Sequence, residues 1–170
     1  MSRKIVAIGG GENGRTRFDG VKMPYETEEI DREIIKLTGK THPNFLFIGH
    51  AQIDQNYEDR YFSTMKAIYG NLLGCKCDTI KKSELKTDIG KSQVLLDWAD
   101  IIYEGGGDTK GMMDLWVEVG FDKMLMNAWN SGKVMCGVSA GANCWFKSCS
   151  SDSLKIQLKD LTAPMINVDC

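Results

Sequence analysis

Histidine is almost missing from this chain. Among 170 residues only His42 and His50 carry an imidazole, so the second two-thirds of the sequence has none. That scarcity argues against a His-rich metal centre and against a histidine base placed late in the chain. The six cysteines do not restore a metal site. Cys75 and Cys77 stand one residue apart, and Cys136, Cys144, Cys149 and Cys170 follow without a C-x-x-C or paired-His spacing. No metal and no cofactor is expected. Charge of one sign is lacking too: 21 Lys and Arg against 23 Asp and Glu leave a net charge of −2, which gives no electrostatic case for nucleic acid or an anionic membrane. No apolar run approaches the roughly 20 residues of a membrane span. The run in MSRKIVAIGG is too short for the core of a signal peptide before it meets glycines and Glu12. These absences together predict a cytoplasmic protein with reduced thiols.

What is present is ordinary for a folded domain: 42% hydrophobic and 26% charged residues, in a length that fits one domain with its own core. Residues 1–170 are read as a single α/β domain with no internal repeat, low-complexity tract or linker. Short apolar runs at 4–9, 44–49, 76–80, 100–105 and 133–138 read as strands, most of them closing on glycine. Between them, 25–39, 57–74 and 109–132 carry apolar residues at helical spacing, the last broken at Gly120. This alternation predicts a three-layer, doubly wound α/β fold: a mostly parallel sheet flanked by helices, with ligands bound outside the carboxyl ends of its strands. Trp98, Trp116 and Trp129 read as core and Trp145, close after residue 139, stays open, whereas Glu58, Asp59 and Arg60 read as a solvated helix face.

The carboxyl-edge loops hold nearly all the glycine-rich chemistry. GVSAGAN, residues 137–143, matches the G-x-S-x-G elbow, in which a strand-to-helix turn displays a serine, here Ser139, between small neighbours. The same residues could also serve only close packing at a strand–helix junction. EGGGDTKG, residues 104–111, supplies three glycines whose bare N–H groups suit an oxyanion donor. It lacks P-loop spacing, and Asp108 would repel a phosphate. GGGENG after the first strand lacks the dinucleotide fingerprint and reads as a glycine turn.

Taken as a pair, Glu104–Thr109 and Gly137–Asn143 resemble the peptidase E and cyanophycinase family of serine peptidases, in its peptidase E-like branch, from the opening strand to about Asp152. The resemblance implies a sheet like that of class I glutamine amidotransferases, related to the flavodoxin-like arrangement. It implies a serine hydrolase acting on small peptides, with aspartyl dipeptides among the candidate substrates. Ser139 would be the nucleophile, and the N–H groups of Gly107 and Ala140 would hold the oxyanion. Asp108, where the family usually has Asn, and Thr109, Asn143, Asp152 and Arg15 are candidate substrate contacts. Asp108 and Thr109 serve equally well as a helix N-cap, and Arg15 and Arg17 as solvated loop residues.

The family's histidine, which follows the elbow in a Pro-His context, has no counterpart here. Either the chain lacks a C-terminal part, as the extended run LTAPMINVDC suggests, or the base has moved. His50, at the carboxyl edge after the second strand, is the relocated candidate, while His42 reads as a surface loop residue. The alternative function is a non-catalytic small-molecule-binding or regulatory module on the same scaffold, and a homodimer is compatible with either.

Overall fold

The computed structural model describes residues 2–17 and 19–170. Five strands, β1 (Lys4–Ile8), β2 (Asn44–Ile48), β3 (Lys76–Ile80), β4 (Ile101–Glu104) and β5 (Val134–Val138), form one parallel sheet in the order β1-β5-β4-β2-β3. Each falls inside a predicted run.

The apolar runs are continuous because the central strands are covered on both faces. In β2, Phe45 and Phe47 point to one layer, where they meet Tyr69, Tyr103 and Cys136. Leu46 and Ile48 point to the other, with Ile102, Trp116 and Met135. Helices α1 (Glu28–Thr38) and α2 (Gln55–Met65) contribute to the first layer. Helices α3 (Ile89–Trp98), α4 (Thr109–Val119) and α5 (Phe121–Asn130) contribute to the second. The break between α4 and α5 falls at Gly120, which adopts φ 75. Trp116 is buried, whereas Trp98, Trp129 and Trp145 are half-buried against the second layer.

Two parts differ from the sequence pattern. The predicted helix 57–74 is α-helical only to Met65 and continues as a π-helical stretch over Lys66–Leu72. Within it Tyr69 turns inward and donates its hydroxyl to Asp31 at 2.6 Å. Beyond β5 come a one-turn helix α6 (Ala140–Asn143), strand β6 (Ser148–Ser151), helix α7 (Ser153–Leu158) and strand β7 (Ile166–Asp169), with β6 and β7 antiparallel. The sequence SCSS in β6 has no apolar pattern to announce a strand. Among the described residues no helix is long and apolar enough to cross a membrane.

Candidate active site

Ser139 joins β5 to α6 with φ 55 and ψ −114. For a residue with a side chain this conformation costs about 1–3 kcal/mol and persists only where neighbouring structure enforces it. Here the Ser139 N–H donates to the Ile8 carbonyl at 3.0 Å, and its own carbonyl accepts from the N–H groups of Ala142 at 2.9 Å and Asn143 at 3.0 Å. Small neighbours are obligatory, since a Cβ at Gly141 would collide with the Glu104 carbonyl oxygen. The serine side chain is exposed and has no hydrogen-bond partner among the described residues.

The glycine loop after β4 lies against it: a Cβ at Gly106 would sit 3.3 Å from that of Ser139. The turn after β2 acts as its template. Gly105 N–H donates to Ile48 and Asp108 N–H to Ala51, each at 2.8 Å, and the Gln52 amide donates to the Gly106 carbonyl. Gly107 has φ 142, and any side chain there would strike the Ala51 carbonyl. Neither the Gly107 nor the Ala140 N–H has an acceptor among the described residues. Because α6 is one turn long, what it offers is a bare N–H rather than a macrodipole.

Ser139, Gly106 and Gly107 open on a cleft of about 700 Å³. Tyr57, Arg60 and Tyr61 of α2 form one wall, and the loop carrying Glu12, Arg15 and Arg17 forms another. Two hydrogen bonds, at 2.9 and 3.1 Å, tie Arg15 to Glu12 and hold the Glu12 carboxyl below its usual range. Arg17 faces Asp19 at 3.2 Å. Burial pushes the Tyr61 phenol up to about 12.

The model of peptidase family S51 matches residues 18–167. The chain belongs to peptidase family S51. The uncharacterized peptidase YgaJ of Bacillus subtilis (strain 168) is 31% identical over 152 residues, 89% of this chain and 60% of YgaJ. The S51 chain thus spans 60% of the length of that curated relative. Among solved structures, a peptidase from an acI-B1 Actinobacterium superposes with a TM-score of 0.67 at 19% identity, covering 86% of this chain and 58% of that one. A candidate peptidase E protein from Listeria monocytogenes EGD-e gives 0.58 at 18% identity, covering 95% and 69%. At those identities the two structures speak for the fold, which is the α/β arrangement the sequence predicts.

The S51 fold gathers Ser139, Gly107, Ala140 and Arg15 at or beside one cleft, and takes the other candidates elsewhere. His50 is corrected as a base. It is buried, its Nε2–H donates to the Ile80 carbonyl at 2.9 Å, and its Nδ1 accepts the Trp116 indole N–H at 2.9 Å. Burial lowers its pKa to about 3. Asp108 is an N-cap and not a cleft residue: its Oδ1 accepts the Gly111 N–H at 3.0 Å and its Oδ2 the Gln157 amide at 2.9 Å. Thr109 is buried beside it, Asn143 ends α6, and Asp152 is exposed ahead of α7; none lines the cleft. Glu58 is a further correction, being 1% exposed rather than solvated. Its Oε1 accepts the Lys82 N–H at 2.9 Å, and burial raises its pKa to about 7. The α2 wall was missed, although positions 57, 60, 61 and 64 already share one helical face in the sequence and all four line the cleft.

Proposed function

We propose that this S51 chain carries the nucleophilic half of a serine peptidase site, acting on small peptides through an acyl-enzyme at Ser139. The observation behind the reading is the elbow itself: a residue locked at φ 55 by three backbone hydrogen bonds, presenting an unbonded hydroxyl to a cleft beside the glycine loop. On this reading Oγ adds to the scissile carbonyl carbon while the Gly107 and Ala140 N–H groups take the developing oxyanion. The amine leaves with a proton, and water then cleaves the ester. Arg15 and Arg17 line the cleft in exposed ion pairs with Glu12 and Asp19, weak enough for a substrate carboxylate to replace either partner, and this supports aspartyl dipeptides as the substrate class.

A serine hydroxyl needs a proton acceptor at neutral pH. His50 is committed on both nitrogens, and His42 is exposed in a loop with Nδ1 held by the Gly74 carbonyl at 2.9 Å. The reading therefore requires a base other than these two histidines, and without one Ser139 should acylate slowly. The unbonded Ser139 hydroxyl also favours a second reading, a non-catalytic binding module on the same scaffold.

Labelling with an alkyl fluorophosphonate, with and without imidazole as a diffusible base, separates the two. Slow labelling at Ser139, faster with imidazole and absent in Ser139→Ala, is the expected result. If the chain stays unlabelled even in imidazole, the peptidase reading falls and the binding module remains.

A further inference from the structure

Behind the glycine loop, the β6–β7 ladder brings two thiols together. Cys149 pairs with Val168 in its register, and Cys170 extends the ladder by donating its N–H to the Lys147 carbonyl at 3.0 Å. Residues two apart on a strand share a face, so Cys170 lies diagonally across from Cys149 on the same side, and the two sulfurs are 3.9 Å apart. Both residues are half-buried, whereas Cys75, Cys136 and Cys144 are buried. The segment between the two thiols reaches the site. Ser153 Oγ in α7 accepts the Lys110 N–H at 2.9 Å, and Gln157 donates to Asp108 Oδ2 at 2.9 Å. Asp108 directly follows Gly107.

We infer that Cys149 and Cys170 are a thiol–disulfide modification site, whose closure braces the start of α4 beside Gly107. The oxidant class is a peroxide. One thiolate, that of Cys149, attacks the peroxide oxygen, breaking the O–O bond to give a sulfenic acid and water after proton uptake. The Cys170 sulfur then displaces the hydroxyl as a second water, forming the S–S bond. Two thiols lose two electrons and two protons, and the peroxide is reduced to two waters. Cys170 takes the resolving role because its sulfur is directed at that of Cys149 from 3.9 Å, within reach of the sulfenic acid formed there. Closure draws the sulfurs from 3.9 Å to about 2.05 Å, which requires a small adjustment of the two strands.

The test uses the full chain treated with hydrogen peroxide, then alkylated and mapped by peptide mass spectrometry. The expected product is one intrachain Cys149–Cys170 link that dithiothreitol reverses, with the other four of the six cysteines still alkylated. The oxidised form should melt roughly 5 °C higher and exchange its amide protons more slowly at residues 108–112. Cys149→Ser and Cys170→Ser should each keep the starting melting temperature and lose both the link and the gain. Links between two chains, a Cys75–Cys77 link, or oxidation that stops at sulfinic acid would overturn the site. A correct link without slower exchange at 108–112 would overturn the brace. None of these readouts depends on Ser139 chemistry, so they stand or fall apart from the peptidase reading.

Discussion

Two turns at the carboxyl edge of the sheet, 139–143 after β5 and 49–52 after β2, begin alike and end differently. Each follows a buried strand, contains a glycine, and carries a residue that catalysis could use. In the first, the Ser139 backbone N–H and carbonyl are engaged, while the Ser139 hydroxyl and the Ala140 N–H are left without partners among the described residues, the hydroxyl facing a cleft. In the second, both His50 nitrogens are engaged and the ring is sealed under Trp116 and Phe121. Position at the ligand-binding edge therefore does not separate a reactive group from a structural one. The distinction is whether polar atoms remain uncommitted and open to solvent. The second turn still serves the first, because Ala51 and Gln52 hold the glycine loop in place.

The comparison can be broken at either turn. Ser139→Gly should abolish fluorophosphonate labelling, yet raise stability by about 1 kcal/mol, because glycine accepts the positive φ without strain; labelling rates and urea melts read the two effects. Gly107→Ala forces the loop away from the Ala51 carbonyl, and labelling of folded protein should fall by roughly 10²-fold as one oxyanion donor is displaced. His50→Leu should cost about 2–4 kcal/mol by stranding the Trp116 indole and the Ile80 carbonyl, while the labelling rate per folded molecule stays at the wild-type value. A drop in that rate to the level of Ser139→Ala would return His50 to the site.

Away from both turns, the expected effect is confined to a pH dependence of stability and leaves labelling unchanged. Burial raises Glu58 from 4.5 to about 7, so its contribution to stability is fully present below 4.5 and is lost as pH rises through 7. In Glu58→Gln that loss should vanish, leaving the variant about 3 kcal/mol better off at pH 8 than at pH 4, relative to wild type. Parallel urea titrations of the two proteins across that range would show it.

Much of this was legible in the sequence, for reasons that can be named. The strands were visible because a sheet covered on both faces needs unbroken apolar runs such as NFLFI. The Gly120 break was visible because glycine there sits at positive φ between two helices. The turn at Ser139 and the tight loop at Gly107 were legible as local geometry, because an elbow and a glycine loop impose backbone demands that only small neighbours meet. Burial that depends on distant partners was not legible. His50 is silenced by Trp116, 66 residues away. Glu58 is covered where its Cγ packs against Gly49, and is held by the Lys82 N–H. Charged residues next to each other on a helix gave no hint that Glu58 turns in while Arg60 turns to the cleft.

The most direct measurement is a structure of the fluorophosphonate adduct. The account predicts phosphorus bonded to Ser139 Oγ, with the phosphoryl oxygen about 2.7–3.1 Å from the backbone nitrogens of both Gly107 and Ala140. A phosphoryl oxygen pointing to solvent, or an adduct on any other residue, would contradict it.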